Sequence, residues 1–345
     1  MAQRNRRWLL KRHPDPAELP GPEHFTLDEA PAPEPADGQV QVRAIYLSPD
    51  PYMRGRINPG RNYAQGVAVG EVMTGRVVGE VMASRRPGYA SGDIVHANIG
   101  WQDYGVTGDA ELRKIDPKLA PISTGLGLLG MPGLTAYFCL LDVGAPRAGD
   151  TVVVTAASGA VGSVAGQIAK IKGCRAVAIA GSAAKIAYCT DELGYDAAID
   201  YNAEPNLSAA IARAAPDGVD VFFDNVGGSV HQAVIEHLNV GARIALCGVM
   251  SQYNPTEKSR AVPYNLRNIL IPRARMQGFL IYDYAARERE GLEALAGWYR
   301  NGRIKFRETI AEGLGSAPLA FRGLLRGENL GKQLVRVGPE PRSKA

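Results

Sequence analysis

Ala157, Gly159 and Gly162 carry the spacing A-x-G-x-x-G inside "TAASGAVGSVAG", between an apolar run "VVVTAA" and a helix-like "VGSVAGQIAK". Small residues at that spacing suit the approach of a phosphate to backbone N–H groups. Gly159 permits a tight turn against a pyrophosphate, and Gly162 lets the helix pack close to the strand, so that phosphates meet the positive helix N-terminus. An NAD site of this kind has an Asp or Glu about 20 residues past the glycines, on the adenosine ribose. Here that place reads Gly181-Ser182, with Lys185 in the first turn of the next helix. A carboxylate would repel a 2′-phosphate, whereas a Ser182 hydroxyl and a Lys185 ammonium bind one. The expected ligand is NADPH.

Such a turn needs strands and helices to hold it, and the chain supplies them in alternation. From "GLGLLGMPGLTAYFCLLDVG" onward the pattern runs "TVVVTAA", "AVGSVAGQIAKIKG", "RAVAIAG", "AAKIAYCTDELG", "AAIDY", "LSAAIARAA", "VDVFFDNV", "SVHQAVIEHLN", "ARIALCGV" and "RMQGFLIYD". Alternation of that kind predicts a parallel sheet wound on both faces, an α/β fold. Residues 14–125 differ, with short alternating runs such as "QVQVRAIYL" and "TGRVVGEVM", many Gly and Pro, and no long amphipathic helix. After "REREGLEALAGWYRNG" the last ~45 residues return to short strands ending in "KQLVRV", which would complete the first sheet. The expected division is residues 1–125 with 300–345, and residues 126–299.

Composition narrows the function class. With 345 residues, 46% apolar and 21% charged, the chain has the make-up of a folded two-domain protein. Its net charge of +4 comes from interspersed signs, which argues against a nucleic-acid tract or a membrane-binding face. Cys139, Cys174, Cys189 and Cys247 form no C-x-x-C pair and sit in apolar runs, so neither a disulfide framework nor a thiolate zinc knuckle is expected. The Arg-rich start "MAQRNRRWLLKRHP" lacks the serine richness of a transit peptide and runs into a strand-like "RWLL"; the expected compartment is the cytoplasm. "LLGMPGLTAYFCLL" is too short, and too interrupted by Pro132 and Gly133, to span a bilayer.

The order β-rich domain, "GMPGLTAYF", "AASGAVGSVAGQIAKIKGC", "FDNVGG", "CGVMSQYN", "QGF" and "GENLGKQLV" resembles the zinc-free medium-chain dehydrogenases/reductases, particularly the prostaglandin reductase, plant alkenal double-bond reductase and bacterial curcumin reductase branch. The resemblance covers nearly the whole chain. It implies a GroES-like β-rich substrate domain beside a Rossmann domain with a six-stranded parallel sheet, and a homodimer with Rossmann domains in contact. It further implies that Gly159, Ala160, Val161 and Gly162 hold the pyrophosphate and that Lys185 and Tyr201 flank the 2′-phosphate. Asn225, the run from Cys247 and Gly248 to Tyr253, the run Phe279, Leu280 and Ile281, and Asn329 would line the nicotinamide half. Zinc alcohol dehydrogenases carry a cysteine ligand after the strand matching "VRAIYL", a later His-Glu pair and a four-cysteine lobe. This chain has "SPDPYMRG" and "GEVMTG" instead, no cysteine before Cys139, and an isolated His96, so no catalytic zinc is expected.

Without a Lewis acid, an activated alkene is an easier target than a plain alcohol. Hydride added to the β-carbon of an α,β-unsaturated aldehyde or ketone moves charge to the carbonyl oxygen, where one or two hydrogen-bond donors suffice, and the α-carbon then takes a proton. The candidate donors are Tyr253 in "SQYN", Tyr52 in "DPYMRG" and the cofactor's own ribose hydroxyl. A zinc-free quinone or carbonyl reductase would share the cofactor residues but use a different pocket; a non-catalytic NADPH-binding redox sensor would need no donor. Tyr63, Trp101, Tyr104 and Tyr264, in the loops "NYAQGVAVG", "NIGWQDYG" and "YNPTEKSRAVPYNL", suggest a hydrophobic substrate pocket.

Overall fold

The computed structural model describes residues 3–58, 64–254 and 265–341. The chain divides into two compact units, Met1–Leu126 with Glu308–Ala345, and Gly127–Arg307.

In the first unit β1 (Arg4–Leu10) and β2 (Phe25–Pro31) form an antiparallel ribbon. A seven-stranded sheet contains β3 (Val40–Ser48), β4 (Arg76–Ser84), β5 (Ile94–Asn98), β6 (Tyr104–Thr107), β7 (Arg113–Lys114), β14 (Glu308–Glu312) and β15 (Lys332–Arg336). β3 is the hub of this sheet: β4, β6 and β15 all pair with it antiparallel. Its buried Val40, Val42, Ala44 and Leu47 belong to a core that also holds Phe25, Trp101 and Phe321. The tail is not all strand. Ala317–Leu325 is a helix with Pro318 in its first turn, and Ala317, Phe321 and Leu324 on one face enter the core. Its nine residues, bracketed by Gly and Pro, gave too short a period to read.

The second unit holds a six-stranded sheet, all parallel, in the order β10-β9-β8-β11-β12-β13. The strands are β8 (Thr151–Thr155), β9 (Arg175–Ala180), β10 (Ala197–Asp200), β11 (Val219–Asp224), β12 (Leu238–Leu246) and β13 (Arg275–Gly278). β8 is buried at every position, as a strand covered on both faces must be. Val153, Phe222 and Ile244 pack against Ala210 and Ile211 of the helix Leu207–Ala214 and Val230, Val234 and Ile235 of the helix Gly228–Ile235. The unit runs past residue 300 to Arg307. Gln167 clamps Lys305, its Nε2 donating to the Lys305 carbonyl at 2.9 Å and its Oε1 accepting the Lys305 amide at 2.8 Å. Strand order and parallel sense put the carboxyl ends of all six strands, and the loops that leave them, along one edge.

Candidate functional site

The first loop on that edge leaves β8. Ala156 takes φ 49°, a left-handed value, and its carbonyl accepts the Gly159 amide at 2.9 Å. Gly162 opens the helix Gly162–Ile171, and a Cβ there would stand 2.4 Å from the Ala156 oxygen and 2.8 Å from Ala157 Cα, both backbone atoms that cannot give. A Cβ on Gly159 would meet the same oxygen at 3.2 Å. The turn is therefore closed to larger side chains, and the amides of Ala160, Val161 and Gly162 lie at the N-terminus of the helix, where amides lack i−4 acceptors. Tyr195 braces the helix from behind: its hydroxyl donates to the Gly162 carbonyl at 2.7 Å, and its ring fills the space left by Gly166.

The second loop leaves β9. Ser182 caps the short helix Ala183–Ala187, its Oγ accepting the Lys185 amide at 3.4 Å. Tyr201, at the end of β10, donates its amide to the Ala180 carbonyl at 3.0 Å, and its ring lies over Gly181. Asn202 Nδ2 donates to the Gly181 carbonyl at 2.9 Å. Of the residues expected at the 2′-phosphate, Ser182 and Tyr201 thus flank Gly181, and Lys185 is joined to Ser182 through its backbone amide. Lys185 is half-buried, and desolvation lowers its pKa.

The third cluster centres on a residue that the sequence reading passed over. Asp224, the last residue of β11, is fully buried; its Oδ1 accepts from Thr155 Oγ1 and from the amides of Val226 and Gly227, and its Oδ2 lies 2.8 Å from His231 Nδ1. The Asp224 carbonyl accepts the amides of Cys247 and Gly248. Asn225 beside it donates its Nδ2 to the Thr155 carbonyl at 2.7 Å, locking β8 to β11. Met250 and Ser251 then bond back to Asn225 and Val226, which fixes the turn that carries Tyr253. "FDNVGG" was read for its asparagine; its aspartate, seven residues before a histidine, was the available signal. Phe279, Leu280 and Ile281 follow β13, with Phe279 buried against the Tyr284 ring at 5.0 Å and Leu280 exposed.

Two expected residues belong to the first unit. Tyr52 stands in the turn after β3, half-buried, where Arg76 Nη1 donates to its hydroxyl at 3.0 Å. Asn329 is buried, its Nδ2 donating to the Gly331 carbonyl at 2.7 Å. The segments carrying them are tied by a buried ion pair, Lys332 Nζ to Asp50 Oδ1 at 3.0 Å, with Ser48 donating to the other Asp50 oxygen at 2.6 Å.

The loop aromatics behave differently from one another. Trp101 is a core residue, fully buried with its ring 5.3 Å from Phe25 and 5.7 Å from Phe321, so it lines no pocket. Tyr104 is half-buried and accepts from Gln3 Nε2. Tyr63 and Tyr264 lie outside the described residues.

His96 lies on β5 with Nδ1 3.1 Å from the Glu111 carbonyl, and burial, helped by Arg113, brings its pKa down to about 3. Among the described residues one group of three metal-ligating side chains comes together, Glu18, Glu23 and His24, but Arg12 holds Glu18 and Arg322 holds Glu23. Two guanidinium partners already neutralise the two carboxylates.

Residues 6–115 match a family described as the N-terminal domain of oxidoreductase, and residues 160–297 one described as zinc-binding dehydrogenase. The chain is 44% identical to the NADPH-dependent curcumin reductase of Escherichia coli (strain K12), covering 97% of each. It is 43% identical to the 2-alkenal reductase (NADP(+)-dependent) of Nicotiana tabacum, covering 87% of this chain and 88% of that one. The crystal structure of CurA in complex with NADPH from Vibrio vulnificus shares the fold at TM-score 0.90 and 43% identity, over 97% of this chain and 100% of that one.

Proposed function

The chain belongs to the medium-chain dehydrogenase/reductase family, in its prostaglandin, alkenal and curcumin reductase branch, and from that premise we propose that it is a cytoplasmic, NADPH-dependent reductase of the carbon–carbon double bond in α,β-unsaturated aldehydes and ketones. The observation that carries this reading is the make-up of the loop after β9: Ser182 caps the helix that holds the partly buried Lys185, and the Tyr201 ring lies over Gly181, where an NAD site would place a carboxylate.

The residues present fit the dinucleotide. The close approach of the helix to β8 at Gly162 sets its N-terminus at the turn Gly159–Gly162, where the amides of Ala160, Val161 and Gly162 would meet a pyrophosphate. Lys185 and Ser182 would meet the 2′-phosphate, Tyr201 would cover it, and Asn225, Cys247, Gly248, Phe279, Leu280, Ile281 and Asn329 would border the nicotinamide half. When bound, NADPH supplies the hydride that adds to the β-carbon of the substrate. The chain's own part is to offer a hydrogen bond to the carbonyl oxygen as negative charge develops there and to deliver a proton to the α-carbon, work suited to the phenols of Tyr253 and Tyr52. No Lewis acid is needed for that step, and the reading is metal-free.

A second copy of the chain is the partner proposed. β13 is an edge strand with all four residues exposed, and Met276 on it and Leu266, Leu270 and Ile271 before it are exposed apolar side chains. The test of the activity is NADPH consumption with three substrates, a 2-alkenal, a quinone and a simple ketone. Turnover of the 2-alkenal with the saturated aldehyde as product is expected; turnover of the quinone or ketone alone, or of none, would overturn the reading.

A further inference from the structure

Arg76, the first residue of β4, pairs in register with Ser48 at the end of β3, which sets it beside the turn that carries Tyr52. It is nearly buried, and its guanidinium reaches both Glu111 and Tyr52. Nε and Nη2 fork onto the Glu111 carboxylate at 2.7 and 2.9 Å, and Nη1 donates to the Tyr52 hydroxyl at 3.0 Å. The same guanidinium carbon lies 5.5 Å from the Tyr52 ring centroid, and that of Arg56, on the tyrosine's own short helix, lies 5.7 Å away. Among the described residues of this corner, Arg54 Nη2 donates to the carbonyls of Asp15, Pro16 and Glu18, and Asp50 is held by Lys332.

A guanidinium has donors and no acceptor. The Tyr52 oxygen must therefore accept from Arg76, and the phenolic proton cannot be given to that partner. Glu111 fixes the fork so that the donor cannot swing away. We propose that Arg76, backed by Glu111, is the positioning residue for Tyr52 as proton donor: it directs the phenolic O–H away from β4 and holds the phenolate after the proton leaves. The inference rests on the double-bond reduction reading and deepens it. In the step itself the Tyr52 O–H bond breaks, the enolate's electron pair forms a C–H bond at the α-carbon, and the phenolate is reprotonated by water.

The experiment compares wild type with Tyr52→Phe, Arg76→Met, Arg76→Lys and Tyr52→Phe/Arg76→Met in 2-alkenal reduction across pH. Arg76→Met should lower kcat by about 10- to 100-fold, the order expected for one lost hydrogen bond to developing charge, with KM for NADPH unchanged. Activity needs the protonated phenol, so kcat falls at high pH; without the guanidinium to favour phenolate, that fall should move to higher pH. Arg76→Lys keeps the charge and should move it less. In the Tyr52→Phe background Arg76→Met should cost nothing further, since Arg76 then has no hydroxyl to act through. Losses that multiply, or an alkaline limb that stays in place, would overturn the proposal. A titration of Tyr52 by carbon-13 NMR in the full chain, its signal assigned by Tyr52→Phe, needs no turnover. The same midpoint in wild type, Arg76→Met and Arg76→Lys overturns the Arg76 assignment, whereas a wild type inert to the 2-alkenal with a shifted midpoint overturns only the activity reading.

Discussion

Tyr201 closes over Gly181: a Cβ on that glycine would stand 2.8 Å from the tyrosine hydroxyl, so any larger side chain would push the ring off the end of β9. The ring and the Ser182 cap lie where β9 and β10 end side by side, and the capped helix carries Lys185. Selection between the cofactors by charge at these residues is open to direct test.

Replacing Lys185 with Ala should raise KM for NADPH by the equivalent of about 1.5–3 kcal/mol, the worth of a hydrogen bond to a charged group, and leave KM for NADH nearly unchanged. Steady-state kinetics with both cofactors checks it, and equal losses would refute the assignment. The sign with pH follows from burial, which lowers the Lys185 pKa by disfavouring its charged form. The free enzyme loses its ammonium at lower pH than an ordinary lysine would, so NADPH affinity should weaken on the alkaline side before the usual lysine range is reached. NADH affinity should not follow, and Lys185→Ala should flatten the NADPH curve.

Metal independence is the second prediction. His96 is turned toward a backbone carbonyl and kept neutral by burial, and Arg12 and Arg322 occupy the Glu18 and Glu23 carboxylates. Prolonged chelation should leave turnover intact, and elemental analysis should find well under one zinc per chain. Stoichiometric zinc whose removal abolishes activity would show that the site was misread.

How far the sequence carried this picture depended on range along the chain. The glycine turn is local, with Ala157, Gly159 and Gly162 within six residues of one another, so its spacing could be read between the flanking strand and helix patterns. Arg76 meets Tyr52 across 24 residues through the β3–β4 register and Glu111 across 35 through the β4–β5 and β5–β7 pairings, which no motif announces. Trp101 shows the opposite error: an aromatic in a Gly-rich loop reads as pocket lining, yet its ring completes the core between Phe25 and Phe321. Asp224 was in plain view, but a buried carboxylate that organises two loops looks, in one dimension, like any strand-end acid.

The exposed edge β13 carries a third prediction. Backbone groups on an edge strand seek partners, and the apolar side chains of Leu266, Leu270, Ile271 and Met276 add area that a second copy would cover. Light scattering should give twice the chain mass for wild type, and Met276→Glu with Leu270→Glu should give monomers at micromolar concentration. A wild-type monomer throughout that range would remove the homodimer from the reading.

Tyr253 follows the turn Met250–Gln252, which is laced to the Asn225–Val226 loop by the Met250 amide and the Ser251 hydroxyl. That lacing holds the Tyr253 backbone near the carboxyl ends of β11 and β12, the region where a nicotinamide would lie. A phenolic hydroxyl can hydrogen-bond a carbonyl oxygen as charge develops on it. Tyr253→Phe keeps the ring and removes the hydroxyl, so it should lower kcat by roughly 10- to 1000-fold with NADPH affinity little changed. Comparison with Tyr52→Phe divides the labour between the two phenols. If Tyr253 bonds the oxygen while Tyr52 delivers the proton, only Tyr52→Phe should abolish the alkaline limb of the rate, and a solvent isotope effect should shrink in that variant alone. Wild-type rates for Tyr253→Phe, with hydride transfer shown to be rate-limiting, would leave Tyr52 or the cofactor ribose as the donor and reduce Tyr253 to a wall of the site.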